Sequence, residues 1–193
     1  MKKILLLVLV LIVSSSTYAQ RQAGDLTLQP RIGIVAADFN NTEDTEARVG
    51  LFAGAELEYF VSPSVGLSLG MLYAQQGAEL KNYDVTWKVD YLNIPIVANF
   101  YVWKGLALKA GLQPGINVSS KLDGSAGNYH ASVNIDDVVN TFDLALPLGI
   151  SYDFGGLVLD ARYTLGLTKT FKDNYLDSKN ITFQIGIGYK FNL

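Results

Sequence analysis

The chain has 193 residues, 49% of them hydrophobic, with no cysteine and a formal charge of −3. This excludes disulfides, thiolate metal sites and a cysteine-linked lipid anchor, and it leaves no basic footprint for nucleic acid. Beyond the N-terminus nothing approaches the roughly 18 consecutive apolar residues of a spanning helix, so any surface facing lipid must come from strands.

The N-terminus reads as an export signal. Lys2 and Lys3 precede an apolar run from Ile4 to Val13, and small residues lead to Ala19. Cleavage is expected after Ala19, since ten apolar residues are too short to span a bilayer. Residues 20–193 then form one domain of 174 residues, and losing two lysines takes the charge from −3 to −5.

Eight strands are expected in the remainder: Thr27–Ala37, Val49–Val61, Val65–Gln76, Trp87–Val102, Leu106–Val118, Thr141–Phe154, Leu157–Thr168 and Ile181–Phe191. Each alternates between an apolar and a polar or small face, as side chains on a strand must. Most have the length that a tilted strand needs to cross a bilayer. Tyr91–Val118 shows the pattern most plainly. Leu92, Ile94, Ile96, Ala98, Phe100 and Val102 share one parity, while Asn93, Asn99, Lys109, Gly111 and Gln113 take the other.

The connections alternate in length. Ser62-Pro63-Ser64, Trp103-Lys104-Gly105 and Gly155-Gly156 are minimal, whereas residues 38–48, 77–86, 119–140 and 169–180 form long polar loops. Short turns at one end and long loops at the other are the habit of bacterial outer-membrane barrels. The expected fold is all-β, an eight-stranded antiparallel up-and-down transmembrane barrel with both termini on the short-turn, periplasmic side.

Charge supports that assignment of faces. The proposed outer face carries none. The opposite face carries Arg31, Glu56, Glu58, Lys109, Asp143, Asp160, Arg162 and Lys190, four of each sign. A soluble ligand-binding barrel would show the reverse, whereas an unpaired charge facing hydrocarbon costs roughly 2–4 kcal/mol at midplane. An eight-stranded interior is just wide enough for side chains to fill, so these charges are expected to pair into a plug, with inward glycines making room. Tyr59, Phe60, Phe100, Tyr101, Trp103, Tyr152, Phe154, Tyr189 and Phe191 gather near the short turns, as an interfacial girdle would. Pro30, Pro95, Pro114 and Pro147 fall inside the strands and require bulges or missing ladder bonds, because a closed barrel has no edge for them.

The segments Tyr91-Leu92-Asn93-Ile94-Pro95 and Ala110-Gly111-Leu112-Gln113-Pro114-Gly115 resemble those of the PorT-like outer-membrane β-barrel family common in Bacteroidetes. The later FDLALPLGISYDF, LDARYTLGL and IGIGYKF resemble it too, so the likeness covers nearly the whole mature chain. Asn93 stands where that family frequently has an acidic residue. The resemblance implies an outer-membrane location and a barrel that tolerates Pro95 and Pro114; it assigns no activity.

His130 and Ser132 form a His-x-Ser pair, an arrangement used by some outer-membrane lipid esterases. Here it falls in the polar 119–140 loop with no evident acid partner, so a solvated histidine is expected. Asp123, Asp136 and Asp137 lack calcium-loop spacing, and no phosphate loop, zinc pattern or nucleotide fingerprint is present. No cofactor is expected. The outer face is expected to meet lipopolysaccharide and phospholipid, and the four loops to meet any protein partner. The role expected is a non-enzymatic surface or envelope-structural one. A transport- or secretion-associated component and, less favoured, a lipid-modifying enzyme using His130 and Ser132 are the alternatives.

Overall fold

A computed structural model describes residues 21–40, 45–81, 84–126, 129–172 and 178–193. The strands are β1 (Leu26–Phe39), β2 (Thr45–Ser62), β3 (Val65–Leu80), β4 (Val85–Asn93), β5 (Ile96–Trp103), β6 (Leu106–Ala126), β7 (Tyr129–Asn134), β8 (Phe142–Asp153), β9 (Leu157–Gly166), β10 (Asn180–Tyr189) and β11 (Phe191–Asn192). All pairings are antiparallel: β4 and β5 share one place in the ring between β3 and β6, β7 pairs with β6 alone, and β10 returns to β1, with Arg31 opposite Gly188 and Phe39 opposite Asn180. The result is an eight-strand up-and-down barrel with no free edge in its wall. Residues 1–19, where the export signal is expected, lie outside the described residues. Among the described residues no helix is long and apolar enough to cross a membrane.

The surplus over eight strands has two sources. The expected fourth and eighth strands are each broken in two, and β7 is an addition. Both breaks, and a third gap in the ladder, sit at prolines. Pro95 separates β4 from β5. The ladder between β1 and the last strand lapses where Pro30 has no N–H to offer, so Phe191 and Asn192 pair separately as β11. Between β6 and β8 it lapses from Gly111 to Leu112, opposite Pro147 and Leu146. The register is the same on either side of the gaps at Pro30 and Pro147, so these prolines cost single ladder bonds and leave the barrel closed.

Polarity is inside out. Ile32, Leu51, Leu69, Ile150 and Ile185 are all about half exposed or more on the outer wall, while Glu56, Asp160 and Arg162 are nearly inaccessible. Alternation dictates this, because neighbours such as Arg31 and Ile32 must face opposite ways. The apolar part of the interior is small. Phe52 packs with Val35, Ala37 and Ala74, over the facing glycines Gly33 and Gly186. A Cβ on either glycine would come within 2.6 Å of the Phe52 ring. We expect Phe52→Ala to cost about 3–5 kcal/mol, measured by urea unfolding in detergent, since no neighbour can collapse into a space floored by glycine.

The Gly155-Gly156 turn has φ of 76° and 107°. Two consecutive positive values match the twist of a two-residue hairpin, and glycine reaches them without strain.

Three of the long loops are shorter than expected, because the strands continue past the lipid-facing segment. β1 and β2 extend to Phe39 and start at Thr45, and β3 runs to Leu80. Most of the 119–140 segment is a hairpin, with Lys121 opposite Asn134 and Ala126 opposite Tyr129. Among its described side chains Lys121 and Ala131–Asn134 are exposed and Leu122–Gly124 are only half-buried, and the alternation that marks a half-buried strand is missing from its sequence.

Candidate functional site

The barrel interior is arranged in three tiers, two polar and one apolar. The middle tier joins β1, β2, β6 and β9. Arg162 grips Glu56 with two nitrogens, Nη1 at 2.6 Å from Oε1 and Nη2 at 2.8 Å from Oε2. Its Nε lies 3.0 Å from Asp160 Oδ1. Arg31 bridges the same two acids, at 2.8 Å to Glu56 and 2.5 Å to Asp160. Lys109 reaches Asp160 Oδ2 at 2.6 Å from the far wall. Three cations and two anions thus cross the lumen as one hydrogen-bonded unit. Forked Arg–carboxylate contacts are the geometry that tolerates burial best. Glycines make the room. A Cβ on Gly70 would stand 2.6 Å from Glu56 Cγ, and one on Gly149 would stand 2.9 Å from Arg162 Cγ.

The second tier lies at the short-turn end. Glu58 accepts from Asn99 and from the Tyr101 hydroxyl, both at 2.7 Å, and pairs with Lys190 at 2.7 Å. Lys190 also donates to the Tyr101 oxygen at 2.6 Å. From outside, Arg21 places its guanidinium 3.8 Å from the centre of the Tyr101 ring and donates to the Lys104 carbonyl at 2.8 Å.

The third tier, at the long-loop end, is apolar. Phe39, Ala78, Val89, Tyr91, Val139 and Phe171 form a buried cluster joined by Trp87 and Ile135. Phe171 stacks edge-on against both Phe39 and Trp87 at 5.3 Å. Asn140 pins the loops together, donating to the carbonyls of Lys169 and Phe171.

Three expectations are corrected. Asp143 is buried, but among the described residues no cation pairs with it; its one side-chain partner is the Thr168 hydroxyl at 2.7 Å. It stands near the loop end of β8, six residues or roughly 20 Å along the strand from Gly149, which faces the middle tier. Phe60 and Tyr101 are not rim aromatics: both turn inward and pack on Ala107. Their parity, opposite to that of Tyr59 and Phe100, is the signal that placing them by chain position overlooked. Finally, the His130–Ser132 segment is strand β7, with His130 opposite Ser125, and Ser132 does have an acid beside it. Its hydroxyl donates to Asp123 at 2.6 Å. The Lys88 ammonium and that hydroxyl hold the Asp123 carboxyl below its usual range. A serine that donates to a low-pKa acid is not being activated by a base.

Tyr59, Phe100, Trp103 and Phe191 are exposed near the short turns, and Tyr152 and Tyr189 are half-buried beside Phe154 and Phe191. Among the described residues no group of three histidine or acidic side chains could hold a metal. Sequence reading also missed Arg48, which is buried, donates to the Gln76 carbonyl and lies 3.4 Å from Asp90.

An apolar outer wall, a charged and filled lumen and a closed eight-strand ring define an integral membrane barrel of the outer-membrane class. The chain belongs to the outer membrane protein beta-barrel domain family, whose profile matches residues 18–172. Solved structures similar to it include Ail, the attachment invasion locus protein of Yersinia pestis. The likeness has a TM-score of 0.53 at 17% identity, over 88% of this chain and 100% of that one. Ail has also been solved in complex with the heparin analogue sucrose octasulfate. Neisserial surface protein A is similar at a TM-score of 0.53 and 13% identity, over 86% of this chain and 97% of that one. At these identities the likeness establishes the fold. No curated protein matches the chain.

Proposed function

We propose that this is a non-enzymatic surface or envelope-structural protein whose barrel is an anchor and whose long-loop end recognises a partner. The observation that carries the reading is the lumen. Ion pairs cross it at mid-height and an apolar cluster covers its loop end, so a solute has no continuous polar path. In this reading the export signal at 1–19 is removed and the short turns face the periplasm. The exposed aromatics sit at headgroup level, and the chain is a PorT-like member of its family.

The charge of the loops narrows the partner. Residues 38–48, 77–86, 119–140 and 169–180 contain four, two, three and two acidic residues, eleven in all. Against these stand one, one, one and three lysines or arginines, six in all. A field of that sign repels polyanions and speeds encounter with basic surfaces. The heparin analogue bound by Ail is therefore a poor guide here, and a basic protein surface is the better-matched partner.

Purified protein in a planar bilayer is expected to give a flat current trace. Steady, reproducible single-channel steps would overturn the closed-lumen reading. On cell fractionation the chain should sediment with outer membranes; recovery as a detergent-free periplasmic monomer would overturn the location.

A further inference from the structure

The wall of the barrel has no free edge, but the hairpin that stands above it does. β6 runs past the wall to Ala126, and β7 returns paired with β6 alone. On its other side β6 still pairs with β4, as far as Gly124 opposite Val85. A sheet therefore projects at the loop end, with β7 as its last strand. Among the described residues no strand lies on the far side of β7.

The ladder shows which backbone groups are spare. Just beyond β7 the Ile135 N–H donates to the Ser120 carbonyl at 3.0 Å. In an antiparallel pair, residues that exchange hydrogen bonds alternate with residues that do not. The register continues with Asn134 opposite Lys121, Val133 opposite Leu122 and Ala131 opposite Gly124. Val133 and Ala131 therefore turn their backbone groups to β6, while Ser132 and Asn134 turn theirs away. The side chains are open at the same edge. Ala78, Trp87, Leu122 and Val133 lie opposite one another in one row across β3, β4, β6 and β7. Ala78 is sealed, Trp87 and Leu122 are half-buried, and Val133 is 57% exposed. The row lacks the neighbour that would cover its last member.

We propose that the free edge of β7 takes up an extended segment of a partner protein as an added strand, with an apolar residue against Val133 and basic residues on either side of it. Strand addition draws its affinity from main-chain hydrogen bonds and its specificity from alternate side chains. Ser132 and Asn134 supply the first, and the uncovered end of the Val133 row supplies the second. Charge selects the basic residues. β7 leads into Asp136 and Asp137, both exposed, and the four loops hold eleven acidic residues against six basic ones. The inference rests on the loop end being a recognition surface for a basic partner, and it names the part of that surface the partner uses.

The test uses the whole barrel in phosphatidylcholine nanodiscs and a synthetic peptide of alternating lysine and valine. Beside it are run a copy with N-methylated backbone amides, which has no donor for a ladder, and a glutamate–valine peptide. The lysine–valine peptide should bind and slow amide hydrogen exchange in β7, and the N-methylated copy should do neither. Ser132→Pro removes an outward N–H and no bond to β6. It should weaken binding by about tenfold, the worth of one or two hydrogen bonds, whereas Ser132→Ala should bind as the parent does. Equal binding of the N-methylated copy, or by Ser132→Pro, overturns the edge and leaves a basic partner held by charge alone. Equal or tighter binding of the glutamate–valine peptide, still weakened in Ser132→Pro, keeps the edge and overturns the basic partner. Binding of neither peptide overturns the docking site. Self-association of the barrel in detergent that is lost in Ser132→Pro puts a second copy on the edge and overturns the partner. Should Ser132→Pro fail to refold, the N-methylated copy decides.

Discussion

Replacing Glu56 with alanine should lower the unfolding free energy by about 3–5 kcal/mol, while Lys109→Met should cost far less. The asymmetry follows from counting charges in the middle tier. Glu56 and Asp160 are its only anions, set against Arg31, Lys109 and Arg162. Without Glu56, three cations share one carboxylate and Arg162 loses both of its forked contacts. Without the Lys109 ammonium, two cations face two anions, and Asp160 keeps Arg31 at 2.5 Å and Arg162 at 3.0 Å. Methionine also fills the volume that lysine vacates. Urea unfolding of the barrel in detergent, with Glu56→Gln as the volume control, measures the order. If Lys109→Met proves as costly as Glu56→Ala, the tier is not acting as a charge-balanced unit. The double variant Glu56→Ala/Arg162→Ala should cost less than the sum of its singles, because the partners share one network.

The wall of the barrel was legible because lipid on one side and a packed polar lumen on the other impose a period of two. Arg31 beside Ile32 and Asp160 beside Leu159 announce their faces by parity alone, and Gly155-Gly156 announces its turn. The partners inside were not legible. Arg162 meets Glu56 from 106 positions away, a pairing set by the tilt and stagger of the whole ring and not by any local spacing. Asp143 shows the limit well. It has the same parity as the other charges on its face, but its height on β8 places it beyond their reach, and parity carries no information about height. The loop-end cluster was hidden for a further reason. Phe39 and Phe171 are single apolar residues between polar neighbours, Val139 belongs to a pair with Val138 after two aspartates, and only the folded loops bring the three together.

The second large effect lies on the opposite wall, where Ile185→Arg should cost about 2–4 kcal/mol and Phe191→Arg about 0–1 kcal/mol. Both side chains are about half exposed, at 48% and 49%, so burial within the protein does not distinguish them. Depth does. Ile185 stands midway along β10, between Ile34 on β1 and Ala161 on β9. Phe191 is in β11 at the short-turn end, where an arginine can extend to headgroups and water. The size of the difference therefore reports what surrounds the barrel. In water, two half-exposed positions would accept arginine about equally, and removing an exposed isoleucine would be close to neutral. Reversible folding into phospholipid vesicles, with urea unfolding of each variant, gives the two values. A penalty at Ile185 several-fold larger than that at Phe191 means hydrocarbon lies against the middle of the wall. Equal penalties would mean that the wall faces water and that its apolar parity serves contact with protein.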